Sequence, residues 1–360
     1  MPRAIPCLLV FALASCDPPP KDGETATRGT AEETDTDAGS STGGESETGG
    51  AGEFVGDCPD AQWVSMLRRD RDIVSLAIDS RRHVHVREFD ARVLDLDLSG
   101  QLAASVDLGE DDANVIIGGI DDQDKTYALA TKSGPEQPGA WLRKYDVGLE
   151  LEWEVELGTE HDVVGAPLVA ADGSVVVNRG DLLAMYDASG DLVWERTNPD
   201  FMLVQGINAQ GAMVAILPPM KVVRAVAPDG SSLWEREWGE HWNYNFVGID
   251  DDGNVVAVDG HGVVRFAADG TLMWERGEAE LGMRTLAAAM NHAGELAVLG
   301  APVEGAGTVL KLSTTGEIVA TRNCSRVSGT HVALDDDGRL YLGGYTLDDA
   351  RYYWFVTAFE

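Results

Sequence analysis

A thiol at position 16 is the residue whose neighbours say most about chemistry. Leu13-Ala14-Ser15-Cys16 closes an apolar run from Ile5 that is preceded by Arg3. Small side chains at 14 and 15 fit a narrow peptidase cleft, and only a thiol is nucleophilic enough to be alkylated by a diacylglycerol donor there. The four residues look like a lipobox, with 1–15 as signal peptide and Cys16 as the lipidated first residue of the mature chain. A thioether and an acylated amino group would together bury several alkyl chains, and stable anchoring takes at least two. The apolar run is too short to span a bilayer, and no stretch of about 18 or more apolar residues occurs elsewhere.

Other side chains offer weaker chemistry. The segment Trp238-Gly-Glu240-His241-Trp242-Asn-Tyr244-Asn-Phe246 gathers aromatics around an acid and an imidazole. Glu240, His241, Trp242 and Tyr244 are therefore the candidate ligand face, against the competing use of aromatics simply to cover apolar area. His161, His241, His261 and His331 fall near the same end of the strands, but a metal needs convergence that spacing does not provide. Asp250-Asp-Asp-Gly253 and Asp335-Asp-Asp-Gly338 suggest calcium. A calcium loop, however, needs oxygens at alternate positions and a distal bidentate acid, so hairpin turns are expected instead. Cys58 and Cys324 remain once Cys7 and Cys16 are set aside, and parity in an oxidising compartment suggests a bridge. Register argues against it. The two lie about nine residues, or ~30 Å of strand, out of step, unless the segment before Trp63 folds back. No zinc helix motif, nucleophile elbow or phosphate loop occurs, so no catalytic or metal-binding set is assigned.

The elements that carry these groups follow from composition and repetition. Residues 17–57 contain eleven acids against Lys21 and Arg28 and no Leu, Ile, Trp or Tyr. With almost nothing to bury, 16–57 is expected to be a lipidated Cys followed by a disordered acidic linker. The whole chain has 61 acidic against 27 basic residues, a formal net charge of -34. Nucleic acid is therefore excluded as an expected partner, because its phosphates would be repelled.

From residue 58 onward the chain repeats. Tyr186-Asp-Ala-Ser-Gly190-Asp-Leu-Val-Trp194-Glu-Arg matches Ala227 to Arg236 and Ala267 to Arg276, each with Trp four residues after Gly. Glycines at 100, 148, 190, 230, 270 and 316 mark one turn, with Trp153 fitting one position looser after Gly148. A second turn follows Ile78, Val169, Ile207, Ile249, Met290 and Leu334. Two hairpins per period of about 40 residues make four antiparallel strands, which is a propeller blade. Six units are complete. The seventh closes when Ala61 to Leu67, with Trp63 in the outer-strand Trp position, pairs beside Phe355 to Phe359. The fold expected is all-β, one propeller of about seven four-stranded blades over 58–360. Trp63, Trp153, Trp194, Trp234 and Trp274 then serve structure between blades, each contributing up to about 4–6 kcal/mol by burial.

The Gly-x-x-x-Trp step, as in Gly190 to Trp194, resembles the tryptophan-docking repeat of pyrroloquinoline-quinone-like (PQQ-like) propellers. Asp337 to Thr346 and Trp141 to Asp146 are similar to repeats of large secreted bacterial propellers. The resemblance covers 58–360 and implies the fold. An adjacent Cys-Cys pair and an eighth blade are missing, so quinone binding is not carried over and no cofactor is expected.

These readings make the chain a monomeric, membrane-anchored envelope lipoprotein, on the periplasmic side or cell surface. Its propeller is expected to be a non-enzymatic binding or scaffold module for protein or glycan. One alternative is an envelope enzyme or redox-cofactor carrier with a site over the central channel. Another is a scaffold for outer-membrane assembly, which shares the lipobox and the Trp-turn repeat.

Overall fold

Middle strands such as Val255–Asp259 are near-continuous apolar runs buried on both faces. Fourth strands such as Leu192–Thr197 are largely exposed. On one face the strands stop at five-residue turns that share a left-handed fourth residue. The computed structural model describes residues 58–359, apart from 68–71, 89–91, 109–112, 133–138, 159–164, 199, 201, 218–220, 239–243, 302–306, 325–326 and 349–350. The lipobox residues Leu13, Ala14, Ser15 and Cys16, and the acidic linker, lie outside the described residues, as do Glu240, His241 and Trp242.

Seven four-stranded antiparallel sheets are present. β1 (Ala61–Met66) comes first in the chain but belongs to the last blade. Blade one is β2 (Ile73–Ile78), β3 (Val84–Glu88), β4 (Arg92–Leu96) and β5 (Leu102–Asp107). Blade two is β6 (Ala113–Ile120), β7 (Thr126–Lys132), β8 (Gly139–Tyr145) and β9 (Leu151–Gly158). Blade three is β10 (Leu168–Val169), β11 (Val175–Arg179), β12 (Leu182–Tyr186) and β13 (Leu192–Thr197). Blade four is β14 (Leu203–Ile207), β15 (Met213–Leu217), β16 (Val222–Val226) and β17 (Ser232–Glu237). Blade five is β18 (Tyr244–Ile249), β19 (Val255–Asp259), β20 (Gly262–Phe266) and β21 (Leu272–Gly277), followed by the short helix α1 (Glu278–Leu281). Blade six is β22 (Arg284–Met290), β23 (Leu296–Ala301), β24 (Gly307–Leu312) and β25 (Ile318–Cys324). Blade seven is β26 (Val327–Leu334), β27 (Leu340–Asp348) and β28 (Arg351–Phe359), completed by β1.

The first strand of every blade touches the first strand of both neighbours, so these seven line the centre of a closed ring. Closure is by register: Ala61 pairs with Phe359 and Met66 with Phe355. Thr357 Oγ1 also donates to the Trp63 carbonyl at 2.6 Å. No open array edge is left at the junction. Seven apolar clusters follow, each shared by two adjacent blades, so the core is a set of wedges between sheets.

Because the strands alternate in direction, the hairpins joining first to second and third to fourth strands share one face, here the turn face. All thirteen leave five residues between strands, from 79–83 to 335–339. The fourth of the five always has positive φ, and ten of these are glycine. The exceptions are Arg82, Asp124 and Leu149, at φ 65°, 60° and 62°. Leu149, rather than Gly148, is thus the left-handed residue of its turn, and Trp153 follows it by four residues like the others. The looser spacing inferred from the sequence is corrected. The glycine is displaced by one and the register is kept, with Leu149 folded into the apolar wedge between blades one and two.

Each repeat tryptophan leans on the next blade's turn. The indole nitrogens of Trp153, Trp194, Trp234 and Trp274 donate to the carbonyls of Ala188, Pro228, Ala268 and Thr314 at 2.8–3.1 Å. A Cβ on Gly270 would stand 2.8 Å from Trp234, and one on Gly316 2.7 Å from Trp274. Glycine is needed there for the left-handed backbone and for the indole's approach. Arg236 and Arg276 then reach the same turns, donating from Nε to the carbonyls of Gly270 and Gly316.

The cysteines overturn the sequence reading. Cys58 and Cys324 form a disulfide, with Cα atoms 4.3 Å apart. The reversal required for it exists: Ala61 donates its N–H to the Cys58 carbonyl, and Asp60 takes φ 73°. Residues 58–60 therefore turn back instead of extending β1, which removes the offset that counted against the bridge.

Candidate binding face

The acidic turns are built from their own backbone. Asp250 accepts the Asn254 N–H, and Asp335 the Arg339 N–H, at 2.7 and 2.8 Å. Asp250 also pairs with the buried Arg265, and Asp335 accepts from the Tyr341 hydroxyl at 3.2 Å. The first residue of every inner hairpin turn is buried: Asp79, Asp121, Ala170, Asn208, Asp250, Asn291 and Asp335. Asn208 and Asn291 donate across to the carbonyls of Asp250 and Asp335 in the next blade. These residues tie the turn face together. Among the described residues no group of three or more His, Cys, Asp or Glu could hold a metal ion.

Asp79 shows what such a carboxylate contributes. Burial alone would raise its pKa. Hydrogen bonds from His85, the His83 backbone N–H and Arg81 outweigh burial and hold it at about 2. Its folded value is depressed, so its stabilisation is present above the ordinary carboxylate value near 3.8 and is lost as pH falls toward 2. Asp79→Asn should cost about 2 kcal/mol at neutral pH and flatten the stability curve between pH 4 and 2. Parallel curves for both proteins in that window would refute this assignment.

The opposite face is built differently. Its connections range from two residues, as between β25 and β26, to nine, between β9 and β10. Tyr244 opens β18 beneath this face. Of the remaining segment, Trp238 donates from Nε1 to Glu275 at 3.1 Å, Asn245 donates to the Thr285 carbonyl at 3.0 Å, and Phe246 packs between blades five and six. These three are engaged in joining elements. His161 and His241 lie outside the described residues.

His261 stands in the two-residue turn between β19 and β20, where the buried Asp259 carboxylate accepts the N–H groups of His261 and Gly262 at 2.8 and 2.9 Å. Its Nδ1 lies 3.4 Å from Glu278 Oε2 at the start of α1, both side chains nearly half exposed. Thr285 Oγ1 donates to the Asp259 carbonyl, fixing this corner to blade six. His331 is separate. It lies in β26 with Nδ1 2.9 Å from Thr330 Oγ1, and burial lowers its pKa against a bond to the Val74 backbone, which keeps it neutral at pH 7. The Asp259–His261–Glu278 corner was missed although Gly262 pairs with Gly277 across β20 and β21, which puts His261 and Glu278 at the same end of one hairpin.

The architecture defines a seven-bladed β-propeller. No protein-family model and no curated protein matches the sequence. Solved propellers do match in shape. The RRP9 WD40 repeats share 10% identity over 85% of this chain and 100% of that one, with a TM-score of 0.63. Virginiamycin B lyase from Staphylococcus aureus shares 10% over 81% and 98%, with a TM-score of 0.59. A streptogramin B lyase shares 12% over 82% and 97%, with a TM-score of 0.57. A WD40 repeat protein and two lyases on one architecture establish the fold alone.

Proposed function

We propose that this chain is a lipid-anchored envelope protein whose propeller is a non-enzymatic binding module for a protein or glycan, held by the face of variable connections. The observation that carries the reading is the contrast between faces. Thirteen turns of one length and conformation support the ring, while the other face varies from two to nine residues per connection. Binding groups are carried on variable loops set on a rigid scaffold. Export is supported by the lipobox and by the Cys58–Cys324 bridge, since such bonds persist in oxidising compartments. Cys16 is the proposed lipid attachment, and Glu240, His241, Trp242 and Tyr244 are the proposed contact residues. A second reading, an envelope enzyme, draws on the His261–Glu278 pair, whose spacing suits a general acid–base couple.

The test is native mass spectrometry of protein purified from its own envelope, beside a variant with 239–243 replaced by a Gly-Ser segment. A stoichiometric protein or glycan that the variant loses supports the binding module. A tightly held small molecule or metal, with loss on His261→Ala, would replace it by the enzyme. In the same preparations Cys16→Ser should free the protein from membranes, and persistent membrane fractionation would refute the anchor.

A further inference from the structure

Among the described residues the turn face has fourteen places for a turn and thirteen turns. The missing one is the outer turn of blade seven, where β28 ends at Phe359 beside the start of β1. The gap leaves an open depression of about 680 Å³ lined by Gln62, Trp63, Arg82, Leu98, Ser99 and Arg339. Among the described residues two guanidinium groups and no carboxylate line it, in a chain with more than twice as many acids as bases.

Comparison of blades identifies what the depression lacks. In blade two, Lys125 is the fifth residue of the inner turn and pairs with Glu152, the residue before Trp153. In blade seven the matching residues are Arg339 and Gln62, the residue before Trp63. Arg339 is in no ion pair among the described residues, and its charge acts on the nearby Tyr341 hydroxyl. Among the described residues Arg82 pairs with Asp337, whose side chain is 64% exposed, a contact of the kind that water and salt readily exchange. Trp63 covers Gly100 and lies half-buried beside Leu98, which is 50% exposed. An anionic group thus meets Arg339, and Arg82 on exchange with the exposed Asp337, next to a flat apolar surface and the amide and hydroxyl of Gln62 and Ser99.

We propose that this seam depression binds an acidic saccharide, its carboxylate between Arg82 and Arg339 and one ring face against Trp63. Arginine pairs with carboxylates through charge-assisted bonds, and an indole face, an amide and a hydroxyl complement a sugar ring and its hydroxyls. The site lies opposite the connection face and does not depend on what binds there.

The probe is a galacturonic acid trisaccharide, titrated calorimetrically into the propeller at low salt beside its neutral galactose counterpart. The wild type should bind the uronate and ignore the neutral sugar. Gln62→Glu supplies the carboxylate that blade two already has, so it should keep the fold and weaken uronate binding by about tenfold or more. Arg339→Gln should do the same, with unchanged melting in both variants. Absence of uronate binding, equal binding of the neutral sugar, or an unchanged affinity in Gln62→Glu would overturn the proposal. Tighter binding of an acidic hexapeptide at the same residues would also overturn it, assigning the depression to a protein ligand.

Discussion

Arg265→Ala is expected to lower the stability of the propeller by about 3–5 kcal/mol. Arg265 is 2% exposed and ranks first by volume among the fully buried side chains of the described residues. It lies in β20 and pairs with Asp250, the equally buried first residue of blade five's inner turn. Its Nη1 donates at 2.6 Å to the Gly294 carbonyl, in the matching turn of blade six. Truncation would leave the Asp250 carboxylate buried without its cation and the Gly294 carbonyl without a donor, and an uncompensated buried charge is far costlier than a lost surface pair. Asp250 still accepts from Asn254 and its carbonyl still accepts from Asn208, so the turn itself would hold. Urea unfolding provides the measurement. A loss under about 1 kcal/mol would show that the pair contributes little beyond filling space. Arg265→Met with Asp250→Asn removes both charges together, keeps an acceptor for the Asn254 N–H, and should recover most of the loss.

This pair was hidden in the sequence although its neighbourhood was legible. Asp250-Asp-Asp-Gly253 reads as a turn because acids and glycine favour that backbone, and a turn it is. Its partner fifteen residues later is an arginine in an apolar strand, which nothing local distinguishes from an exposed one. The ring was legible for the opposite reason. Turn and Trp recur at a fixed period, and Trp63 stands fifteen residues before Ile78 as Trp234 does before Ile249, so the closing strand could be placed from spacing alone. Spacing failed where one residue moved within a constant frame. Gly148 drew the eye, yet Leu149 takes the left-handed position because its side chain gains burial between blades. The candidate site was the least legible part. Connections on the variable face share no repeat, and the His261–Glu278 contact lies just beyond the Gly262–Gly277 pair of one hairpin, where no residue pattern marks it.

Breaking the Cys58–Cys324 bridge is expected to cost about 2–4 kcal/mol, on the order of 3–6 °C in Tm for a domain of this size. Five of the seven wedges between blades hold a repeat tryptophan; the wedges between blades one and two and between six and seven do not. In the first of these, Ala104 occupies the tryptophan position and Leu149 fills the wedge. In the second, Ala320 occupies it, and blade seven has no outer turn for an indole to lean on, because the chain's two described ends meet there. Cys324 lies four residues farther along the same strand, 1% exposed, and carries the covalent link to the residue just before the turn into β1. The bridge joins positions 266 residues apart and so holds the closing strand near its partner even when β1 frays. By constraining so long a loop it also removes much freedom from the unfolded chain. Cys58→Ala is the cleaner variant, since Cys58 is only partly buried and its loss leaves no polar atom inside. Its melting temperature should match that of the wild type in reductant and should not fall further when reductant is added. Equal melting of the oxidised wild type and the variant would mean that β1 pairing alone closes the ring. A larger loss, with β1 released first in hydrogen exchange, would mean that the bridge is what makes the closure cooperative.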